Sequence, residues 1–257
     1  NIEYWQAPIV GISKASEELA TFGVTIEYFF FDYNIKSFNK TAAKVLKLDF
    51  DGLLFAPIFY EESVAFLSEY KKKNIPIVMI DSNLQEIEEV AYIGQDSYQS
   101  GYLAGKLISY GVKSESNILI VKITRDIEST SKTTVYLQRI QGFYAYFKEN
   151  TFLPKFNFTE VNVKDAAKNQ LTTKMFLGID AVFVPNSRVH IVAKFIKENN
   201  LLGIRVVGYD LLKQNLDYLN DGVIDFLIHQ KPEEQGYMGI NHLYKKLVLK
   251  EDVKNMI

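Results

Sequence analysis

The feature that most constrains the fold of this 257-residue chain is an internal repeat of strand and helix patterns. One segment begins Asp51-Gly-Leu-Leu-Phe-Ala and ends 30 residues later at Asp81, after the apolar run Ile-Pro-Ile-Val-Met-Ile. Another begins Asp180-Ala-Val-Phe-Val-Pro, has the same length, and ends at Asp210 after Ile-Arg-Val-Val-Gly-Tyr. Two copies of one strand–helix–strand unit, offset by 129 residues, predict a duplicated α/β architecture.

The repeat continues beyond these two units. Gln95 is followed six residues later by Gly101-Tyr, and Gln230 is followed six residues later by Gly236-Tyr. The offset between the copies maps the strand predicted at 117–123 to a position before Asn1. We therefore expect further polypeptide upstream, including the first strand of the first copy.

Apolar runs of strand length alternate with amphipathic stretches of helix length. The runs are apolar almost throughout, which is typical of parallel strands covered by helices on both faces. We predict strands at 24–31, 52–56, 76–80, 91–94, 117–123, 156–161, 181–184, 205–208 and 224–229. We predict helices at 62–73, 99–110, 134–149, 189–199 and 234–247, and a mobile loop at 125–134. The predicted fold is α/β, with two similar doubly wound parallel-sheet lobes and a ligand cleft between them.

Composition argues against several classes of function. The formal net charge is −2 and the pI is about 6.0, whereas a surface that binds nucleic acid by itself is usually strongly basic. The chain has no cysteine, and its three histidines lack metal-ligand spacing, so we predict no metal and no cofactor. It also has no apolar run of the length that spans a membrane.

The motifs of common enzyme classes are missing. The sequence has no GxSxG, no GxxxxGKS/T and no GxGxxG after a strand. Asp96 and Asp210 are the two carboxylates that a glycosidase would use, but nearby Arg139 would oppose the protonated acid that this mechanism needs. We therefore predict a binding protein that is not an enzyme.

Polar residues come directly after the predicted strands. In an open parallel sheet the ligand lies at the carboxyl ends of the strands, so these residues are candidates for ligand contact. Carboxylates accept hydrogen bonds and amides both donate and accept them, which suits the hydroxyl groups of a neutral sugar. The candidates are Asp32, Pro57, Asp81, Asp96, Asn186, Asp210 and Gln230, with ligand contact favoured for Asp96, Asn186, Asp210 and Gln230.

Each candidate also has a purely structural interpretation. An Asp or Asn after a strand often caps the next helix or holds a turn, and this alternative applies most directly to Asp32 and Asp81. Arg139 begins Arg-Ile-Gln-Gly-Phe and forms either a ligand contact or an exposed salt bridge. Trp5, beside Tyr4, either packs in the core or supports the C–H face of a sugar.

Five short motifs occur in the order and spacing of a known family. On these motifs the whole chain resembles the type I periplasmic-binding-protein fold, and within it the effector-binding core of LacI/GalR (lactose-repressor) family transcription regulators. The motifs are Ile93-Gly-Gln-Asp96-Ser-Tyr-Gln-Ser-Gly101, Arg139-Ile-Gln-Gly-Phe143, Phe183-Val-Pro-Asn186-Ser, Val207-Gly-Tyr-Asp210 and Ile228-His-Gln230-Lys-Pro. The resemblance implies a sugar pocket lined by Asp96, Arg139, Asn186, Asp210 and Gln230, with Tyr4 and Trp5 as aromatic neighbours.

The resemblance also implies partners and organisation. An upstream helix-turn-helix would carry DNA binding, and two cores would pair as a homodimer. The lobes would comprise 1–111 with 232–257, and 112–231. A carbohydrate effector would modulate operator binding by closing them. The resemblance implies a cytoplasmic protein with no membrane partner. The family's Asn-Pro-Phe-Phe-like entry to the first helix is not present, which leaves the identity of the sugar open.

Two alternatives share the same fold and pocket. One is an extracytoplasmic sugar receptor of an ABC transporter, and the other is the sensor domain of a membrane kinase. Upstream sequence separates them, because a regulator carries a helix-turn-helix there and an exported receptor carries a signal sequence. The uninterrupted Gln-Ser-Gly-Tyr and Arg-Ile-Gln-Gly-Phe motifs favour the regulator.

Overall fold

A computed structural model of the chain describes residues 2–84, 87, 91–113, 115–124, 134–150, 155–164, 170–201 and 203–256. Its α-helices are α1 (Ile2–Leu19), α2 (Ile35–Val45), α3 (Tyr60–Tyr70), α4 (Ser97–Ser109), α5 (Thr134–Glu149), α6 (Val189–Glu198), α7 (Lys213–Asn220) and α8 (Pro232–Tyr244). Its strands are β1 (Leu53–Phe55), β2 (Ile77–Ile80), β3 (Ala91–Ile93), β4 (Asn117–Thr124), β5 (Asn157–Lys164), β6 (Ala181–Phe183), β7 (Arg205–Tyr209) and β8 (Phe226–Ile228). In the loop predicted at 125–134, residues 125–133 lie outside the described part of the chain.

The chain divides into two compact units, Asn1–Gln95 with Lys231–Ile257, and Asp96–Gln230. The first division therefore lies before α4, whereas the sequence-based prediction put it after this helix, at 111. Helix α4 belongs to the second unit because it packs closely against α5. A Cβ atom built on Gly101 would lie 1.9 Å from the backbone oxygen of Arg139, so only glycine permits this approach.

The first unit is built on a three-stranded parallel sheet with the order β1-β2-β3. Apolar side chains of β1 and β2, such as Phe55 and Met79, pack on one face against Phe38 of α2 and Leu67 of α3. On the other face β2 and β3 pack against α8, which in turn contacts α1 through Ile240. The sheet is therefore covered on both sides, as its apolar strands predict.

The segment 24–31 is not a strand in the described structure, which corrects the prediction. It is only partly covered: Phe29 and Phe31 are half-buried against the apolar cluster around α2 and α3, whereas Phe30 is 71% exposed. A strand requires a hydrogen-bonded neighbour, and the described residues pair β1 with β2 alone. Apolar composition thus predicted neither the partial exposure of this segment nor its lack of a paired strand.

The second unit is built on a five-stranded parallel sheet with the order β5-β4-β6-β7-β8. Strand β4 lies inside this sheet, and its side chains alternate between two buried clusters. Leu119 and Val121 pack with α6 on one face, while Ile118 and Ile120 pack with α4 and α5 on the other. The α/β class with two parallel sheets and covering helices is confirmed.

The internal repeat is visible in the backbone. Asp81 directly follows β2 and has a φ of 68°, and Asp210 directly follows β7 and has a φ of 69°, a left-handed conformation that is uncommon for residues other than glycine. The repeated glycines also have matching positions. A Cβ on Gly236 of α8 would lie 2.2 Å from the backbone oxygen of Pro8 in α1, as one on Gly101 would meet Arg139 in α5. Each repeated Gly-Tyr therefore marks a close helix–helix crossing.

Candidate ligand-binding site

The second unit brings four of the predicted site residues to the carboxyl edge of its sheet. Asn186, Asp210 and Gln230 follow β6, β7 and β8, and Arg139 lies in the second turn of α5. Arg139, Asp210 and Gln230 are buried, with 4%, 3% and 8% of their surface exposed. Buried polar side chains need hydrogen-bond partners, so the contacts among them define the geometry of this edge.

Gln230 connects the two buried charges. Arg139 Nη2 donates to Gln230 Oε1 at 2.5 Å, and Gln230 Nε2 donates to both carboxylate oxygens of Asp210 at 2.9 and 3.1 Å. A glutamine side chain both donates and accepts, which allows it to join a guanidinium to a carboxylate. The opposite charges of Arg139 and Asp210 balance within one hydrogen-bonded chain, which lowers the free-energy penalty of burying each of them.

The guanidinium of Arg139 is also held from two other directions. Its Nη1 donates to the backbone oxygen of Pro185 at 3.1 Å, and its Cζ lies 3.9 Å from the centroid of the Tyr209 ring. Burial raises the pKa of the Tyr209 hydroxyl, while the positive charge of Arg139 opposes this rise. Tyr209 therefore stays neutral and presents its ring face to the cation. The exposed-salt-bridge interpretation of Arg139 is wrong.

Asn186 and Asp96 hold backbone groups. Asn186 Nδ2 donates to the Ile123 carbonyl at 2.6 Å, and its Oδ1 accepts from Arg188 N at 3.1 Å, so it ties the end of β4 to the loop after β6. Asp96 is exposed, and its Oδ1 accepts from Gln99 N at 2.8 Å as the N-cap of α4. The capping alternative therefore applies to Asp96, and its role in ligand contact stays a prediction.

The first unit has a second polar group at the corresponding edge of its own sheet. Tyr4, near the start of α1, donates a hydrogen bond from its hydroxyl to Asp81 Oδ1. Gln235 Oε1 accepts from the Asp81 backbone N–H at 2.9 Å. Trp5 is half-buried and makes an edge-to-face contact with Tyr4, with ring centroids 5.2 Å apart. Ser82 Oγ donates to Asp81 Oδ2 at 3.1 Å, so the alternative that Asp81 holds a turn applies to it beside the predicted ligand contact.

Two further strand-end candidates have structural surroundings. The Asp32 backbone N–H donates to Ser37 Oγ at 3.0 Å, next to the start of α2. The N-cap of this helix is Asn34, whose side chain accepts from Ser37 N. Pro57 is buried after β1. Local turn contacts thus account for the position of Asp32.

Sequence reasoning missed Asn215 of α7, which contacts loops at the carboxyl edge of the sheet in the second unit. Its side chain is fully buried and contacts backbone groups of two loops. Nδ2 lies 3.0 Å from the carbonyl oxygens of Ser187 and Tyr209 and 2.9 Å from that of Asp210. The only sequence signal is an asparagine five residues after a strand-end aspartate, which a helix-surface residue would also produce.

Among the described residues, no group of three or more His, Cys, Asp or Glu side chains has an arrangement that could hold a metal ion. In the same part of the chain, no helix is both long enough and apolar enough to cross a membrane.

Comparison with protein families gives a match over residues 1–251 to the periplasmic binding protein domain. The chain belongs to this family. The two parallel sheets and the polar groups at their carboxyl edges are therefore those of a periplasmic binding protein domain.

Solved structures similar to this domain come from two functional classes. A putative LacI transcriptional regulator from Bacteroides fragilis is 26% identical, with a TM-score of 0.89 over 98% of this chain and 89% of that protein. GanP, a glucose-galactose binding protein from Geobacillus stearothermophilus, is 23% identical, with a TM-score of 0.81 over 98% of this chain and 89% of that protein. The second likeness shows the fold alone.

A curated relative is the ribose import binding protein RbsB of Escherichia coli K12. It is 24% identical over 179 residues, which make up 68% of this chain and 58% of RbsB. The chain thus aligns with less than two thirds of the length of this relative.

Proposed function

We propose that this domain is the sugar-binding and dimerisation core of a sugar-responsive bacterial transcription regulator. In this proposal a neutral carbohydrate binds at the polar edges of the two units and alters operator binding by an upstream helix-turn-helix. The observation that carries the sugar assignment is the buried hydrogen-bonded chain Arg139–Gln230–Asp210. The protein itself performs no chemistry on the ligand and works in the cytoplasm as a homodimer.

The chemistry of this edge favours a neutral polyol. A carboxylate offers about four lone-pair sites, so Asp210 can accept from sugar hydroxyls while it also accepts from Gln230. The charge of Arg139 is already balanced by Asp210 through Gln230, so this pair offers a phosphorylated sugar no net positive charge.

The regulator assignment draws support from the likeness to the Bacteroides fragilis protein, whose identity and TM-score exceed those of GanP. The second candidate function is an extracytoplasmic sugar receptor. It draws support from the likeness to RbsB. Both functions require the same sugar-binding edges, so they are separated by partners and location.

Sugar binding is tested by thermal shift against D-ribose, D-glucose, D-galactose, D-arabinose, common disaccharides, sugar phosphates and nucleosides. A ligand at one hundred times its dissociation constant adds about 2.7 kcal/mol to the free energy of unfolding. This increment raises Tm by several degrees, since each kcal/mol is worth roughly 2–4 °C for a protein of this size. A rise with neutral sugars alone is expected. A rise with sugar phosphates alone would contradict the neutral-polyol assignment.

The regulator and the receptor are separated by the polypeptide encoded upstream and by cell fractionation. A helix-turn-helix and a cytoplasmic location are expected, together with sugar-dependent operator binding by the full-length protein. A signal sequence and release by osmotic shock would instead establish the receptor. Sedimentation velocity of the present chain tests the homodimer, and a purely monomeric species at micromolar concentration would contradict it.

A further inference from the structure

The side chain of the fully buried Asn215 contacts the backbone on both sides of Asp210. Its Nδ2 contacts the carbonyl oxygens of Tyr209 and Asp210, which belong to the two successive peptide groups on either side of the Asp210 Cα atom. The rotations φ and ψ of Asp210 are the rotations of these two peptide planes about that atom. A single amide group that contacts both planes therefore restricts both angles.

These restricted angles are ones that Asp210 would seldom adopt alone. Its φ of 69° lies in the left-handed region, which is disfavoured for residues with a Cβ atom. The peptide N–H of Asp210 donates to the Ile228 carbonyl at 3.0 Å, which aligns the residue with β8. In this conformation the carboxylate reaches Gln230 Nε2, so the backbone angle and the site geometry depend on each other.

The amide of Asn215 is itself oriented. Its Oδ1 accepts from the His190 backbone N–H at 3.1 Å, and His190 Nδ1 lies at the same distance from this oxygen. A backbone N–H requires an acceptor, so the oxygen must face His190 and the Nδ2 group must face the carbonyls. Helix α6, which contains His190, thus fixes the side chain that fixes Asp210.

The first unit holds its own left-handed aspartate by different side chains in the same manner. Asp81 has a φ of 68°, its N–H donates to Gln235 Oε1, and its carbonyl accepts from the Tyr92 hydroxyl at 3.2 Å. These contacts again involve the peptide groups before and after the aspartate. The two units therefore reach one backbone state through unrelated residues, which indicates that the state itself is required.

We propose that Asn215 is a positioning residue for ligand binding, which holds Asp210 in the left-handed conformation that directs its carboxylate to Gln230 and the sugar. The consequence for affinity rests on the proposed sugar-binding function. The consequence for the conformation of Asp210 does not, and it is measurable without ligand. Asn215 itself makes no contact with the ligand in this proposal.

The test compares Asn215→Ala and the milder Asn215→Ser with the parent chain. Asn150→Ala is the matched control, because Asn150 also donates to a backbone carbonyl, that of Tyr146, at the opposite end of α5 from Arg139. In ligand-free ¹H–¹⁵N spectra, we expect the Asp210 backbone and Gln230 side-chain signals to shift or broaden in both Asn215 variants. The same signals are expected to be unchanged in the control.

Affinity is measured by calorimetry with D-ribose, D-glucose, D-galactose and D-arabinose. For any of these that binds the parent chain, we expect Asn215→Ala to raise Kd by about tenfold or more and Asn215→Ser by less. In an Asp210→Gly background, where glycine adopts φ > 0 without strain and no carboxylate remains, Asn215→Ala is expected to change Kd by less than about twofold. A purely structural asparagine would lower Tm equally in both backgrounds and leave Kd unchanged.

The outcomes separate the two proposals. If none of the four sugars binds the parent chain, the neutral-sugar assignment fails for these ligands, and the spectra alone decide the role of Asn215. Unchanged Asp210 and Gln230 signals in folded Asn215→Ser would overturn the positioning role. An unchanged Kd in Asn215→Ala, for a sugar that binds the parent chain, would overturn it as well.

Discussion

At the scale of single residues, the second unit buries an arginine and an aspartate that share one glutamine. Replacing Gln230 by leucine keeps a side chain of similar volume but removes the amide that connects Arg139 to Asp210. We expect Gln230→Leu to lower the free energy of unfolding by about 2–4 kcal/mol, because both charges lose a buried hydrogen-bond partner. Denaturant unfolding measures this loss.

The matched control is Gln214→Leu, since Gln214 is an exposed glutamine on α7. We expect it to change the free energy of unfolding by less than about 0.5 kcal/mol. Equal effects of the two substitutions would mean that Gln230 does not connect the charges in solution.

Asp96 has an observed role as the N-cap of α4 and a predicted role in ligand contact, and substitutions can separate the two. Serine is as good an N-cap as aspartate, whereas alanine caps poorly. We expect Asp96→Ala to lower the free energy of unfolding by about 1 kcal/mol and Asp96→Ser to leave it nearly unchanged. If the carboxylate contacts the sugar, both variants weaken affinity about tenfold or more.

Chemical unfolding and calorimetry on the same preparations measure the two effects. Parent-like affinity in Asp96→Ser, together with parent-like stability, would restrict Asp96 to its capping role.

At the scale of elements, glycines determine how closely the helices pack. In the α4–α5 pair, a Cβ on Gly101 would lie 1.9 Å from the Arg139 backbone oxygen, and one on Gly142 would lie 1.9 Å from that of Tyr98. We expect Gly101→Ala to separate α4 from α5 and to lower the free energy of unfolding by about 1–3 kcal/mol or more. Thermal unfolding measures this loss of stability, and Lys106→Ala on the exposed face of α4 is the control.

Gly101→Ala also displaces the turn of α5 that carries Arg139, so sugar affinity is expected to fall together with stability. A Gly101→Ala variant as stable as Lys106→Ala would show that the crossing can widen without loss.

Strands β4 and β5 carry a pH-dependent contact. Glu160 of β5 accepts from Tyr144 at 2.6 Å and forms an ion pair with Lys122 of β4. Partial burial raises the pKa of the Glu160 carboxyl, but the bonds from Lys122 and Tyr144 outweigh burial and lower this pKa overall. Because the folded pKa is below the unfolded one, Glu160 stabilises the fold above the unfolded pKa, and this contribution is lost as the pH falls through the folded value.

We therefore expect Glu160→Gln to lower the free energy of unfolding at pH 7 by at most about 1 kcal/mol, since the pair is partly exposed. The difference from the parent chain is expected to shrink as the pH falls below about 4. Unfolding midpoints measured from about pH 3 to pH 7 give the comparison, and a difference that grows on acidification would contradict the sign of the shift.

Much of the element pattern could be predicted because buried parallel strands are continuously apolar. The same signal failed at 24–31, a partly exposed segment that pairs with no described strand, because apolar composition by itself specifies neither burial nor hydrogen bonding. The boundary before α4 depends on which helix α4 packs against. Gly101 and its counterpart Gly236 marked these crossings in the sequence, but the partner helices do not follow from the motif alone.

The site was predictable where residues follow strands directly, as Asp210 and Gln230 do. The hydrogen bonds among them were not, because a sequence does not give the side-chain orientations on which they depend. Asn215 and Tyr209 were missed for a different reason. Both act on neighbouring site residues, and nothing in their spacing distinguishes them from helix-surface or core residues.

At the scale of the whole molecule, the two units differ in how the chain builds them. The second unit is one continuous segment, Asp96–Gln230, whereas the first combines Asn1–Gln95 with Lys231–Ile257. The C-terminal part of the first unit supplies α8 and a pairing of Met256 with Ile93 at the edge of β3. Neither part of the first unit has a complete core without the other.

We therefore expect a fragment of residues 96–230 to unfold cooperatively by itself, because its sheet and covering helices are all present. A fragment of residues 1–95 is expected to lack cooperative unfolding until a peptide of residues 231–257 is added. Circular dichroism during thermal unfolding measures both. A cooperative transition in the 1–95 fragment alone would show that α8 is dispensable for the core.

The divided first unit also has a consequence for synthesis on the ribosome. Residues 1–95 leave the exit tunnel before the second unit, yet α8 and the segment that pairs with β3 are translated after it. At about 5–20 residues per second, the early segment waits for several seconds or more with the apolar faces of β2 and β3 uncovered. The middle of the chain can fold in that interval, so the order of folding is the reverse of the order of synthesis for these two units.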